Sequence, residues 1–439
     1  MKTQPRQRLL VVSLNYAPEP TGVGKYVGEM TEWLATRQLA VRVVTAPPYY
    51  PTWVLQFGYT GRRYLAEQYA GSRVTRCPVW VPREPRGLKR VLHLLTFAVT
   101  SFPVILWQAL VWRPDVVFVV APALSSAPAA WFAARLCGAR AWLHVQDFEV
   151  DAAFDLGLLP KSGLRGALLW LERSLMRRFD MLSTISDSMR AKLISKGVEA
   201  SRIESFPNWV DTELIRPSSR INPLRSELGI DPTTRVIVYS GNMGEKQGLD
   251  VILTVAERFR VEPDVLFLLC GAGAARARIE QAAKPLRNVR FAPLQPLSRL
   301  NELLNLAELH LVPQLPAAED LVLPSKLVSI MASGRPVVAS ARATSDLGRA
   351  AGQGGIVVEP GDVDGFEQAI RRLLSDEALR RRLGESARAH ALKHWRRDDV
   401  LERVFSRVPE FAARVQAQPQ PPDTDPAKLD APVLIHAQR

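Results

Sequence analysis

The stretch "WLHVQDFEVDA", residues 142–152, closes an apolar run with His144, Gln146, Asp147 and Glu149. These four are the candidate catalytic groups. At the carboxyl end of a parallel strand they face a ligand crevice by position. The same pattern also fits helix-capping carboxylates or a loop of solvated charges, and spacing alone leaves both readings open. His144 and Gln146 are two residues apart, so on a strand they share a face.

A second stretch has the layout of a phosphate site. "NYAPEPTGVGKYVGEM", residues 15–30, follows the apolar run Leu9–Leu14 and leads into a helix-like segment. Two nucleotide templates are excluded by counting. A P-loop needs Gly four residues before Gly-Lys and a hydroxyl after it. Here Glu19 stands at the first position and Tyr26 at the last. A dinucleotide fingerprint needs G-x-G-x-x-G, whereas Gly22, Gly24 and Gly28 are one residue too widely spaced. What remains is a turn whose glycines allow close backbone approach, before a helix N-terminus that favours an anion. Gly22, Gly24 and Lys25 are its candidate acceptor or phosphate contacts. An ordinary strand-to-helix turn is the alternative.

The second half of the chain has three such strand ends. "VIVYSGNMGEKQGLD" carries Gly241, Asn242, Lys246 and Gln247. "LFLLCGAGAARARIE" carries Gly271 and Gly273, and "DLVLPSKLVSIMASGRPVVAS" places Pro324, Ser325 and Lys326 at a helix start. Each alone is common turn chemistry. On successive strand ends of one sheet they make a crevice of backbone N–H groups with two lysines, which suits a diphosphate.

The elements that must position these groups repeat one rhythm twice. Short Val/Ile/Leu strands alternate with helices over residues 9–196 and again over 235–339, which predicts parallel sheets covered on both faces. The expectation is α/β, two doubly wound domains facing across a cleft. The boundaries are 1–210 and 211–410, with a Pro- and Gln-rich disordered tail at 415–439. The joint falls in "FPNWVDTELIRPSSRINP", which includes Asn208.

Composition narrows the class. The chain has 439 residues, 47% hydrophobic, with a net charge of +13. That balance suits anionic lipid or phosphorylated substrates, and the sequence has neither an RNA-binding motif nor zinc-finger spacing, so no nucleic-acid partner is expected. Cys77, Cys137 and Cys270 are scattered in apolar runs and read as reduced thiols. The first apolar run is too short for a secretory signal, which argues against export by that route. The two D-x-D pairs, Asp362/Asp364 and Asp423/Asp425, lie away from the strand ends, so no metal site is expected. Leu94–Trp112 is uncharged for 19 residues and flanked by Arg86, Lys89, Arg90 and Arg113. A buried core helix, an interfacial or re-entrant helix and a full span all fit its length. Trp107, Trp112 and the basic flanks favour the interface.

These segments together resemble the family 4 glycosyltransferases of GT-B architecture, and within them the enzymes of colanic acid and related exopolysaccharide synthesis. The resemblance is carried by "NYAPEPTGVGKYVGEMTEWLA", "VVTAPPYYP", "HVQDFEVDA", "STISDSM", "FPNWVD", "YSGNMGEKQGL", "LPSKL" and "ASGRPVVAS". It implies two Rossmann-like domains and a retaining, metal-independent sugar transfer from a nucleotide sugar, which is a substrate, so no cofactor is implied. The resemblance places acceptor contacts in the first domain and donor contacts in the second. GDP-fucose is the favoured donor. The resemblance implies as acceptor a polyprenyl-diphosphate-linked saccharide at the inner face of the cytoplasmic membrane, and an enzyme expected to be cytoplasmic and peripheral or monotopic. Gly22 and Gly24 match the family's first-strand loop, and Asn208 its "PN…D" turn. Gly241, Gly271 and Gly273 match its donor-side turns, and Pro324, Ser325 and Lys326 its diphosphate loop.

The chain departs from the family at four places. The paired glutamates fall on Leu321 and Ser329, with Glu319 and Asp320 only near neighbours. The donor-side Arg and Lys fall on Asn242 and Gln247, and the active-site His on Gln146, although Asp147 matches. Lys326, with Lys246, is the expected compensation. Two rival classes follow from these departures: a sugar-nucleotide epimerase of the same fold, or a non-catalytic member of a polysaccharide assembly complex.

Overall fold

A computed structural model of the chain describes residues 7–84, 87–148, 151, 164–218, 222–315 and 324–416. The chain divides into two compact bodies, Met1–Phe206 with Leu401–Arg439, and Pro207–Val400.

The first body is built on β1 (Arg8–Ser13), β2 (Ala40–Thr45), β3 (Leu65–Tyr69), β4 (Ser72–Arg76), β5 (Val116–Ala121), β6 (Arg140–Val145), β7 (Met181–Thr184) and β8 (Ile203–Ser205). Their order is 3-4-2-1-5-6-7-8. All neighbours are parallel except the β3–β4 pair. The second body carries β9 (Arg235–Asn242), β10 (Val265–Ala272), β11 (Val289–Ala292), β12 (Leu309–Val312), β13 (Val337–Ser340) and β14 (Gly355–Val358) in the order 11-10-9-12-13-14, all parallel. The central strands are unbroken apolar runs because helices cover both faces. Every residue of β5 is buried, as are the inner residues of β9 and β10.

Chain order reverses between β1 and β5 in the first sheet and between β9 and β12 in the second. In open α/β sheets ligands bind beyond the carboxyl ends of the strands at such a reversal. The topology therefore selects two loop clusters: the segment from Leu14 to Gly24 in the first body, and in the second body the turns after β9 together with the connection from β12 to the helix Ser325–Ala332.

Three features differ from the sequence reading. The β3–β4 hairpin was not foreseen. Its two-residue turn, Ala70–Gly71, has positive φ at both positions (46° and 81°), as a type I′ turn requires, but Ala stands where Asn or Gly usually signals one. The helix Gly87–Trp107 and the π-helical turn Gln108–Trp112 put one row, His93, Phe97, Ser101 and Ile105, into the first core. The opposite face leaves Leu88, Leu92, Leu95, Val99, Phe102, Trp107, Leu110 and Val111 exposed. Only 28% of its most apolar stretch is buried, so it is not a core helix enclosed on all sides.

The third difference lies at the C-terminus. Residues 401–416 belong with the first body, not with the second as the boundary at 410 had it. Phe405 packs 5.3 Å from Trp142, 6.0 Å from Phe206 and 6.4 Å from Trp33 by ring centroids. Glu410 pairs with Arg140 at 2.9 Å. Helical periodicity marks an apolar stripe but not the sheet that stripe will cover. The bodies divide between Phe206 and Pro207, two residues before Asn208, which is buried. Of the expected tail, Val415 still closes a short helix, Ala412–Val415, and residues 417–439 lie outside the described residues. One D-x-D pair has a structural explanation: Asp362 caps a helix through the Gly365 N–H at 2.8 Å, and Asp364 pairs with Arg258 at 2.6 Å. The other lies outside the described residues.

Candidate functional site

In the second body the switch point gathers most of the residues picked out in the sequence. β9 and β10 run in register, with Gly271 opposite Gly241. A Cβ at Gly271 would lie 1.9 Å from the Gly241 carbonyl oxygen, so only glycine lets the two strand ends approach this closely. Asn242 is exposed at the strand end, and Gln247 closes the short turn Glu245–Gln247 that follows. Lys246 lies in that turn, with its side chain outside what is described. Across the switch point, the helix Ser325–Ala332 starts after Pro324 with no side chain capping its first amides. Those amides point at whatever occupies the crevice.

Lys326 joins the two sides. Its Nζ donates to Gln247 Oε1 at 3.2 Å and lies 4.1 Å from the Tyr239 ring centroid. Its stem passes 3.5 Å from the position of a Gly241 Cβ. Burial pushes the ammonium down to about 7. No carboxylate among the described residues pairs with it, so an arriving anion would restore its charge. Two residues here were not foreseen. The Tyr239 hydroxyl donates to the Asn242 carbonyl at 2.6 Å, fixing the turn while its ring carries Lys326. Arg276 donates to the carbonyls of Gly271 and Ala292, pinning the second turn. Tyr239 had a legible signal, since it stands two residues before Gly241 on the same strand face. Glu319 and Asp320 fall outside the described residues, and Ser329 lies in the helix where the family's second glutamate would stand.

In the first body, Gly22 opens the helix Gly22–Thr36 with φ +65°, and a Cβ there would sit 3.3 Å from Tyr50 Cε1. Gly24 is glycine for a packing reason. A Cβ at this position would lie 2.5 Å from Glu19 Oε2 and 3.2 Å from the Tyr16 carbonyl. Lys25 lies along its own helix, 3.3 Å from Glu29 and 4.6 Å from the Tyr26 ring centroid.

The candidate catalytic stretch separates into two roles by burial. His144 is 4% exposed, stacked on Phe118 at 5.8 Å and tilted against Phe206 at 4.9 Å between ring centroids. The Gln146 amide donates to His144 Nε2 at 3.1 Å, so the ring proton sits on Nδ1 and is donated to Ser183 Oγ at 2.9 Å. Trp142 Nε1 donates to the same hydroxyl at 2.8 Å. Burial holds the imidazole neutral, down to about 3. Both His144 ring nitrogens are thus engaged within the first body, one of them by Gln146. Gln146 and Asp147 are half-buried at the strand end, and Glu149 lies outside the described residues. Behind them Phe148 is held under Lys192 and Lys196, and Asp151 pairs with Lys196 at 2.6 Å.

Comparison with known proteins decides the family. The Glycosyl transferase 4-like domain family matches residues 21–209, and the Glycosyl transferases group 1 family matches residues 234–376. Over 412 residues the chain is 41% identical to the Escherichia coli K12 protein that carries the name colanic acid biosynthesis glycosyl transferase WcaI, covering 91% of this chain and 99% of that one. The chain belongs to the family 4 glycosyltransferases. Among solved structures, this glycosyltransferase resembles the sucrose-phosphate synthase of Thermosynechococcus elongatus, with a TM-score of 0.72 at 19% identity over 93% of this chain and 100% of that one. HepE of Anabaena, solved with UDP-glucose, matches with a TM-score of 0.66 at 14% identity over 92% and 100%. Identities this low speak to the fold alone. They place the glycosyltransferase in the GT-B class of two Rossmann-like units.

Proposed function

We propose that this glycosyltransferase moves a sugar from a nucleotide-sugar donor to a lipid-linked saccharide acceptor during assembly of a colanic-acid-like exopolysaccharide. The observation that carries the donor side is Lys326 held at the switch point of the second body, beside the Gly241, Gly271 and Gly273 turns and an uncapped helix N-terminus. The bond from the sugar's anomeric carbon to the diphosphate breaks, and an acceptor hydroxyl oxygen bonds to that carbon and loses its proton. Negative charge builds on the leaving diphosphate. Preorganised amides and an ammonium stabilise that charge without reorganisation. Neither step calls for a metal, and the transfer is proposed to retain anomeric configuration, as the family resemblance implies. Gln146 and Asp147 are proposed to face the reacting sugar, with His144 holding Gln146.

The lipid-linked acceptor is supported by the first body's helix. Val99 and Trp107 are 71% and 62% exposed on an apolar face that soluble surfaces rarely carry. Lys89 and Arg113 stand exposed at its two ends. An apolar face with basic ends suits an anionic bilayer surface, with the helix lying in the interface. The full exopolysaccharide assignment follows the 41% identity to WcaI across nearly its whole length.

Incubating the enzyme with a panel of GDP-, UDP- and dTDP-sugars and a polyprenyl-diphosphate-linked saccharide, then weighing the lipid product, tests the reading. One added hexose or deoxyhexose with one donor is the expected result. Transfer to water or a free sugar alone, with the lipid acceptor untouched, would overturn the acceptor assignment. NMR of the product's anomeric configuration decides the stereochemistry.

A further inference from the structure

Glu19 is buried to 3% exposure between the first-strand loop and the start of the helix Gly22–Thr36. One of its oxygens, Oε1, accepts from the Tyr49 and Tyr50 N–H groups, each at 3.0 Å, and from Asn15 Nδ2 at 3.3 Å. The other, Oε2, is buried with no hydrogen-bond partner and lies 2.5 Å from where a Cβ of residue 24 would be. A buried carboxyl oxygen without a partner is costly and calls for a reason. The surrounding loop is otherwise tightly held: Arg76 donates to the Ala17 carbonyl at 2.6 Å and the Ala46 carbonyl at 3.1 Å. Tyr49 is anchored in turn by its hydroxyl to His93 at 2.8 Å.

We infer that Glu19 is a positioning residue that takes up a proton from solvent when a diphosphate group of the substrate settles on the Gly22–Gly24 turn. This inference rests on the substrate class proposed above. Geometry gives the reason. The helix N-terminus attracts an anion, but an ionised Glu19 behind it would repel one. A protonated carboxyl removes the repulsion and gives Oε2 a hydrogen to donate, while Oε1 keeps all three of its bonds. The loop therefore stays closed in both states. The groups that act on this carboxyl are Arg76 from β4, Asn15 from its own loop, and Tyr49 and Tyr50 after β2. Lys25 is turned toward Glu29. Burial already pushes the free carboxyl up to about 7, against the pull of the Tyr50 and Tyr49 N–H groups, Asn15 and Arg76, and a neighbouring anion pushes it further in the same direction.

The diphosphate belongs either to the nucleotide sugar or to the lipid-linked acceptor, and calorimetry in buffers of different ionisation enthalpy separates them. Each ligand is titrated into the full-length enzyme and into Glu19→Gln at pH 8, where the free carboxyl is about one-tenth protonated. The wild type should take up more protons than Glu19→Gln, up to about 0.9, with the ligand whose diphosphate meets the turn. Glutamine keeps the Oε1 acceptor and mimics the protonated form. Equal uptake by wild type and variant with both ligands overturns the inference. Failure of both ligands to bind the wild type instead overturns the substrate class, and the inference with it. Should Glu19→Gln not fold, the side-chain carboxyl carbon of Glu19 in glutamate-labelled wild type answers the same question. Its resonance should move to the carboxylic-acid position on saturation at pH 8, and an unmoved carboxylate signal refutes the uptake.

Discussion

Replacing Lys326 by Met should weaken nucleotide-sugar binding by about 10- to 150-fold at pH 6.5, the range of about 1.5–3 kcal/mol for one charge-assisted hydrogen bond to a buried partner. The magnitude depends on pH, because burial holds this ammonium down to about 7. Lys326 would then be about three-quarters protonated at pH 6.5, about one-quarter at pH 7.5 and about one-tenth at pH 8. A diphosphate binds the protonated form, so affinity is greatest below about pH 7 and falls as pH rises through the free enzyme's value. The loss from this group should be about threefold between pH 6.5 and 7.5, approaching tenfold per unit above pH 8 while the bound amine stays charged. A nucleotide sugar has no phosphate that ionises in this range, which leaves the protein as the source of the slope. Lys326→Arg keeps its charge throughout, so its slope should shrink by one proton even if the guanidinium fits less well. The assay is equilibrium titration of one nucleotide sugar against wild type and both variants from pH 6 to 9. Binding by Lys326→Met within twofold of wild type at pH 6.5, or an unchanged slope in Lys326→Arg, would remove Lys326 from the donor site.

Three further outcomes separate packing from function. Gly24→Ala pushes a methyl against Glu19 and the Tyr16 carbonyl, and Gly24→Val pushes more. The alanine variant should lose about 1–3 kcal/mol in denaturant unfolding, and the valine variant should lose turnover more than donor affinity. On the apolar helix, Val99→Asp should leave stability within about 0.5 kcal/mol while releasing the enzyme from anionic vesicles in a sedimentation assay. Its inward neighbour Phe97→Ala should cost about 3–5 kcal/mol, and loss of stability in Val99→Asp would show that face to be covered in solution. His144 is neutral in the fold down to about 3, whereas the unfolded chain takes up its proton below about 6.5. Acidification through that window should therefore destabilise the protein by about 1.4 kcal/mol per pH unit from this group. That contribution should be absent from His144→Asn and so appear as the difference in slope between wild type and variant, and an identical pH slope in both would place His144 in solvent.

The helix Gly87–Trp112 shows how far sequence reaches. Its length, its lack of charge and its basic flanks are one-dimensional facts, and they narrowed it to three placements. Which residues face inward depends on the neighbouring sheet, and the row His93, Phe97, Ser101 and Ile105 became the buried one. The terminal helices behaved alike: Phe405 is apolar in any reading, but only the packed chain shows that it lies against Trp142 and Phe206 rather than against the second sheet.

By itself, the sequence determined the strand-and-helix alternation, the two doubly wound halves and the glycine-marked strand ends. Strands buried on both faces must be apolar, and turns that approach ligands or other backbone must be small. Tertiary structure decided how distant residues work together. It set Lys326 against Gln247, about eighty positions earlier, because the strand order reverses between β9 and β12. It withdrew His144 behind Gln146, because a residue in the penultimate position of a central strand is enclosed by the helices that cover the sheet. It also placed Glu19 beneath Gly24, joining a loop after β1 to one after β2. Nothing in the spacing of those residues specifies this contact, since it depends on how two parallel strands bring their following loops to the same edge.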